Sequence, residues 1–492
     1  MIRIKSWWTG LKTERKFLFV LIGYFLLHTL VRVFISNSLE FDEAEQILFS
    51  QQLSFGYGSQ PPLYEWVQKV FFSIFGLNIF SLAIFKNSLF VLIYFFLYKS
   101  AQIILKDNLR AILASSALLV TYTYGWQSMH QLTHAILALS LCSITFFIFL
   151  RLVETRATKH YLVLAVCVGL GILSKYNYLI FILALLFSAF SLKGFRKTIL
   201  DKRMLLVLII PVCISAGHFA WVALNFQQAT LRLTEMQIDV EKTKGLLDLL
   251  ICLLAILGPF CVIFVIFFPK AFTKNRLLNL AENQFKQLLE RFFISAIVIT
   301  VLWVLIFKIV DFEERWLQLI FFLFPTYLFS RLKGKVVSKL RVKVYSWLII
   351  FSAFMLIFML TICVLFPDTF GYKRLHYPIA ELSKEIRAEG FDRGLVLSPD
   401  TSVAADIKLQ FKDSLVLTHR IPFEVSENFD KILLIWGDVW WYDVPDELGK
   451  ILPRHNVEAK RTNIAKKALY KYSKDEYYEI YLMVVDKRES SE

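Results

Sequence analysis

Residues 39–66, "LEFDEAEQILFSQQLSFGYGSQPPLYEW", place Asp42, Glu43, Glu45 and Glu65 between two long apolar runs and carry the double proline Pro61–Pro62. Paired carboxylates suit proton transfer, or the positioning of a hydroxyl that must lose its proton, provided one of them reaches the reacting group. A helix started at Glu40 puts Asp42, Glu45, Gln46 and Phe49 on one face, at i, i+3, i+4 and i+7, and turns Glu43 about 100° away. Like charges this close repel, so solvent, a cation or a basic partner must offset them. Glu40 and Glu45 read as solvated loop acids. Asp42 and Glu43 stand just past the outer end of the first apolar run, where a side chain can face a cavity at a membrane surface. Gly56 and Gly58 in "FGYG" then offer a flexible turn, and Gln60, forced extended before Pro61, a stiff one. Tyr64 and Trp66 follow, and each can stack on a ligand ring or simply anchor the loop.

These residues hang on a frame that crosses a membrane repeatedly. Of 492 residues, 57% are apolar, Phe alone accounts for 47, and only 19% are charged. The apolar runs approach the roughly 17–25 residues that span a bilayer. Eleven spans are expected, near 17–36, 81–98, 111–124, 132–150, 161–173, 178–192, 204–224, 246–268, 292–310, 316–330 and 345–366. Lys and Arg gather in alternate loops: the N-terminus (Arg3, Lys5, Lys12, Arg15, Lys16), 99–110, 151–159, 193–203, 270–291 and 331–343. The intervening loops, beginning with 37–80, hold few basic residues and much of the acid. Basic loops stay in the cytoplasm, so the N-terminus is expected inside, the 37–80 loop outside, and the C-terminus outside as well. The net charge of +15 is then topological, with attraction to anionic lipid headgroups rather than to nucleic acid. The first apolar run holds Arg32 and lacks a small-residue cleavage site, so it is expected to stay in place.

All six cysteines fall in expected spans and read as buried small hydrophobes. No CxxC, HExxH or Walker-type GxxxxGK occurs, which removes local support for an ATP-driven pump. Near Phe366–Tyr372 the sequence turns soluble. "IAELSKEIRAEG" and "SVAADIKLQF" read as helices, and "RGLVLS", "DSLVLTH", "KILLIWG" and "EYYEIYLMVVDK" as strands. Residues 1–366 are thus expected to form the membrane domain and 367–492 a small α/β domain. No catalytic constellation stands out in the latter, which reads as a lid or an acceptor-facing accessory domain.

The string "DEAEQ…GY..QPPLYEWVQ" resembles the first extracytoplasmic loop of polyprenyl-phosphate-sugar glycosyltransferases of the GT-C fold. That group includes the protein O-mannosyltransferase superfamily and the bacterial lipid A glycosyltransferases that add aminoarabinose or galacturonic acid. Weaker likenesses follow in order: "GLGILSKYNYLIF" (169–181), "GHFAWVALNF" (217–226) and "FEERWLQLIFFLFP" (312–325). The resemblance covers most of residues 17–330. It implies an inverting transfer, in which an acceptor hydroxyl or phosphate attacks the anomeric carbon and polyprenyl phosphate leaves. By the same resemblance Asp42 is the general base or acceptor-positioning residue and Glu43 supports it. Lys175 and Arg315 would meet the donor phosphate, Arg as a bidentate fork and Lys as a point charge, unless they merely snorkel at span ends. Gln60, Pro61, Tyr64, Tyr176, His218, Trp221 and Trp316 fall in the matching motifs as substrate-binding candidates, while interfacial aromatic belts explain such rings equally well.

Two departures stand out. Ser59–Gln60 replaces the acidic–basic pair that aminoarabinose-transferring members carry before Pro-Pro, so neither that substrate nor its metal carries over. His134, in "LTHAIL", stands where many relatives have Asp, as a polar substitute or as an interfacial residue. His130, with Tyr124 and Trp126 nearby, fits an aromatic belt as well as a site. The resemblance implies no fixed cofactor and leaves a divalent metal open. Its partners are a polyprenyl-phosphate-linked sugar and a lipid or glycan acceptor at the periplasmic face of a bacterial inner membrane. The alternative is a transporter or flippase for a lipid-linked glycan, which would prefer ionisable residues at the membrane midplane.

Overall fold

The computed structural model describes residues 11–235, 244–273, 284–332, 337–418, 429–437, 445, 448 and 464–486. Arg3, Lys5, Lys333 and Lys335, and parts of the 225–245 and 270–291 loops, lie outside the described residues. In chain order, α1 is Thr13–Ile35, α2 Phe41–Phe49, α3 Leu63–Phe75, α4 Thr158–Ser174, α5 Tyr178–Ser191, α6 Met204–Leu224, α7 Ile379–Ala388 and α8 Thr401–Gln410. Five strands lie in the C-terminal part: β1 Leu395–Leu397, β2 Leu415–Leu417, β3 Lys431–Gly437, β4 Ile464–Leu469 and β5 Tyr477–Asp486. Two compact units result. One is Met1–Leu26, Phe55–Tyr64 and Lys86–Leu356; the other is Leu27–Ser54, Glu65–Phe85 and Ile357–Glu492.

The first unit is helical. Seven described helices of the chain are long and apolar enough to cross a membrane: α1, Ile79–Leu105, Thr133–Thr155, α6, Lys244–Phe267, Gln284–Phe307 and Lys339–Leu365. An eighth forms if α5 and Lys193–Ile199, bent by 119°, count as one span. The other three expected spans are helical but short, in Asn108–Val120, Thr158–Ser174 and Gln318–Ser330, so the count of eleven full spans is not reproduced. Within α1, Phe17, Leu21 and Phe25 repeat every four residues and are buried. Phe17 meets the Tyr98 ring at 4.9 Å and Phe25 stacks on Phe90 at 5.2 Å. The opposite side exposes Phe19, Val20, Ile22 and Leu26, as a lipid-facing surface requires, because every backbone polar group there is satisfied inside the helix.

Two expected spans are interrupted, and each interruption is repaired by the other. The 111–124 segment runs as α-helix to Ser116, as 3-10 helix over Ala117–Val120, and as a π turn over Tyr122–Gln127. The 316–330 segment breaks into Gln318–Phe321 and Phe324–Ser330. Gln318 Nε2 donates to Thr123 O at 2.9 Å, and the Tyr124 hydroxyl donates to Gln318 O at 2.8 Å. Buried side chains thus supply bonds that a continuous helix would make itself. Hydropathy reads the apolar length of such segments but not their breaks.

All six cysteines are free. Cys142, Cys167 and Cys363 are buried as expected, whereas Cys252 and Cys261 are half-buried and Cys213 is exposed on α6. A membrane accepts a small apolar thiol at its boundary as readily as a core does.

In the second unit a five-stranded sheet has the order β2-β1-β3-β5-β4. β1 pairs parallel with β2 and β3, whereas β5 runs antiparallel to both β3 and β4. Side chains alternate faces with period two. Val396, Val416, Leu433, Ile480 and Leu482 join one buried cluster; Leu395, Leu397, Leu417, Leu434 and Trp436 join another. The first cluster also takes in Leu39, just before α2, and Ala44, Ile47 and Leu48 within it. The helices and the four expected strands are present. The fifth strand, β4, reads "IAKKAL" and was not expected, because its side chains stay largely exposed and its lysines suit a sheet edge.

Candidate functional site

The acidic loop is built around one arginine. Glu40 has extended backbone at the N-cap of α2, with φ −74° and ψ 163°, and its N–H donates to Glu43 Oε2 at 2.9 Å. The same carboxylate takes a two-pronged contact from Arg32 near the end of α1, with Nη2 at 2.5 Å and Nε at 3.0 Å. Arg32 spends its other donors on Ser36 O at 3.0 Å and Ser38 O at 2.7 Å. Planar guanidinium geometry suits this fork. The basic partner demanded by the crowded carboxylates is therefore Arg32, and it belongs to Glu43. Asp42, one residue earlier, is half-buried in the same first helical turn, where the helix dipole stabilises negative charge. Gln46, four residues on, is buried and donates to Glu65 Oε1 at 3.4 Å.

In the first unit, two of the distant motifs meet the "FGYG" turn. His218 on α6 is buried; its Nδ1 lies 2.7 Å from Phe55 O and its Nε2 2.9 Å from the Tyr176 hydroxyl. A carbonyl only accepts, so Nδ1 carries the proton and Nε2 receives one from Tyr176. Burial pushes the Tyr176 hydroxyl up to about 12, which keeps that proton in place. The His218 ring lies nearly parallel to those of Tyr176, at 5.8 Å and 24°, and Trp221, at 6.3 Å and 12°. Gly56 lies flat against Trp221, and any β-carbon there would overlap the indole. Its role is therefore close approach rather than flexibility; of the two glycines in this turn, Gly58, with φ +60°, is the one that needs glycine's backbone freedom.

The remaining candidates sit in varied settings. Gln60 closes the turn by backbone bonds to Tyr57, N to O at 3.2 Å and O to N at 3.3 Å. Pro61 is buried. Tyr64 is also buried, with its ring 5.3 Å from that of His134. Lys175 ends α4 in extended conformation and is half-buried. Arg315 is paired with Glu313, Nη2 to Oε1 at 2.6 Å. Trp316 packs on Trp303 at 5.4 Å and Phe312 at 4.9 Å, and its carbonyl accepts from Asn177 Nδ2 at 3.3 Å. That bond links the "SKYNY" and "ERW" motifs. His130 packs edge-on against Trp126 at 4.8 Å. Among the described residues, no three His, Cys, Asp or Glu side chains converge as metal ligands.

In the sequence Arg32 marks only the lack of a cleavage site, and Asn177, Gln51 and Asp406 carry no local signal. An arginine eleven residues before an acid carries no periodic signal. Its position at the end of an apolar run, ahead of a surplus of carboxylates, was the usable clue.

Residues 59–221 match the family described as dolichyl-phosphate-mannose-protein mannosyltransferases. The chain is 29% identical over 431 residues to the lipopolysaccharide core galacturonosyltransferase RgtA of Rhizobium johnstonii, covering 85% of each. It is 29% identical over 315 residues to the core galacturonosyltransferase RgtB of the same organism, covering 63% of each. Its fold matches the crystal structure of ArnT from Cupriavidus metallidurans bound to undecaprenyl phosphate, with TM-score 0.60 over 94% of this chain and 97% of that one at 11% identity. The expected architecture of an α-helical polytopic GT-C protein with a small C-terminal α/β part is thereby met, and the flippase alternative is not favoured. The chain has the GT-C fold of a multi-pass membrane protein, and the family model and curated relatives it matches are glycosyltransferases.

Proposed function

We propose that the chain transfers a hexuronic acid from a polyprenyl-phosphate carrier to the core region of a lipopolysaccharide, at the periplasmic face of a bacterial inner membrane. Likeness to a core galacturonosyltransferase over 85% of both chains supports this choice of sugar and acceptor. The observation that carries the catalytic reading is the commitment of Glu43 to Arg32 and to the Glu40 N–H. Neighbouring Asp42, half-buried in the same first turn of the helix, is the carboxylate that takes the proton on this reading. The acceptor oxygen forms a bond to the anomeric carbon while the bond from that carbon to the phosphate oxygen breaks. The configuration inverts, the acceptor proton passes to Asp42, and the carrier leaves as a phosphate monoester. Lys175 and Arg315 meet the charge that grows on this leaving group. Tyr176 and Trp221, held in place by buried His218, offer an aromatic surface to a sugar ring, with Gln60, Pro61, Tyr64 and Trp316 shaping the loops beside them. Residues 1–366 form the catalytic membrane domain and 367–492 the periplasmic domain, with the N-terminus in the cytoplasm.

The test is transfer from synthetic polyprenyl-phosphate galacturonic acid to purified lipopolysaccharide core by the full chain in detergent. Asp42→Asn should lose transfer by about 100-fold or more while remaining folded. Full activity in that variant overturns the base assignment. Carrier movement across vesicles with no sugar transfer overturns the enzyme reading.

A further inference from the structure

We propose that Asp406 and Gln51 position α2 for catalysis, so that the C-terminal fold sets where Asp42 stands. The proposal rests on the assignment of Asp42 as the base. It makes the part read in sequence as a lid or an acceptor-facing accessory domain a part of the active-site frame.

Three observations carry it, all within the second unit. Asp406, midway along α8, is 1% exposed, and its Oδ1 accepts from the backbone N–H of Leu39 at 3.0 Å. Leu39 is itself fully buried and lies three residues before Asp42. That N–H has no water to turn to, so the carboxyl decides the path of the chain into the helix. Asp400 fixes α8 in turn, its Oδ1 accepting from Ser402 N at 2.7 Å and Val403 N at 3.2 Å.

At the other end of α2, the Gln51 amide copies a neighbouring strand. Its Nε2 donates to Val416 O at 2.8 Å, and its Oε1 accepts from Val416 N at 2.9 Å. These bonds occupy the outer edge of β2. The apolar face between the two anchors, Ala44, Ile47 and Leu48, shares its buried cluster with Val403, Ile407 and Val416. A helix pinned at both ends and along one face can neither slide nor turn independently of the fold that holds it.

Burial pushes the Asp406 carboxyl well above the usual carboxylate range, despite the Leu39 bond and the positive charge of Arg32 that pull it down. What Leu39 meets there is an acceptor oxygen of that carboxyl. Asparagine reproduces that oxygen and alanine does not.

The experiment compares Asp406→Ala, Asp406→Asn, Gln51→Ala and Asp42→Asn in the full chain, each at equal folded concentration, by steady-state transfer kinetics. Asp406→Ala should lower kcat by about 10- to 100-fold with KM for donor and acceptor unchanged, and Asp406→Asn should restore kcat to within about threefold. Gln51→Ala, which leaves the core intact, should lower kcat in the same manner by a smaller factor. An undiminished kcat in both Asp406→Ala and Gln51→Ala overturns the proposal, as does Asp406→Asn behaving like Asp406→Ala. Asp42→Asn separates the two readings. Its retained activity overturns the base assignment, whereas an inactive Asp42→Asn beside unaffected Asp406→Ala and Gln51→Ala overturns the positioning role alone.

Discussion

The acidic corner around α2 and the aromatic cluster around His218 solve the same problem, holding polar atoms in a largely apolar chain, by opposite means. At α2 a full positive charge is spread over one carboxylate and two backbone carbonyls, those of Glu43, Ser36 and Ser38. Around His218 each contact is a single hydrogen bond or a stacked ring, from Phe55, Tyr176 and Trp221. The charged corner is therefore brittle, since removal of one member strands the others. The aromatic cluster is limited by shape, since its packing leaves Gly56 no room for a side chain.

Substitutions can break or sharpen that contrast. The largest effect belongs to Arg32→Ala, which leaves Glu43 without its cation in a site where both side chains are less than one fifth exposed. A loss of about 3 kcal/mol is expected, read as a lower Tm by intrinsic tryptophan fluorescence in detergent. Adding Glu43→Ala should recover part of it, because the two losses are coupled; strictly additive losses would show that the pair does not act as a unit. Next comes Gly56→Ala, which forces the new β-carbon into Trp221 and should cost about 2 kcal/mol through overpacking. Trp221→Ala in the same chain should relieve it, and a Gly56→Ala protein of unchanged Tm would refute the close approach. Smallest in stability is Arg315→Ala. Its partly exposed pair with Glu313 is worth under about 1 kcal/mol. Its expected effect is a weaker use of the lipid-phosphate donor, seen as a raised donor KM, and an unchanged value removes Arg315 from the site.

Much of the fold was legible where the signal is local. Glu40 starts α2 because an extended residue must precede the first turn, and three of the four expected strands show as compact runs of Leu, Ile and Val. The 111–124 and 316–330 segments misled because their apolar lengths say nothing about backbone bonds supplied from elsewhere by Gln318 and Tyr124. In the site, the likeness of "SKYNY" and "GHFAW" to a family singled out Tyr176, His218 and Trp221, and these three do meet. Arg315 was chosen for its chemistry, and its engagement with Glu313, two residues away, was within reach of the sequence but unread. The grip of Asp406 on Leu39 was beyond it, since 367 residues separate the two.

Sequence by itself determined that this chain is a polytopic membrane protein with a C-terminal α/β part and an acidic stretch after its first apolar run. Those properties are sums over neighbouring residues: transfer energy over a run of about 20, charge over a loop. Tertiary structure alone decided which carboxylate belongs to Arg32, which glycine must yield to Trp221, and which buried acid steers the start of α2. Such choices are made between groups brought together by the chain's path, and in a low-dielectric interior a polar group must take the partner that the path delivers.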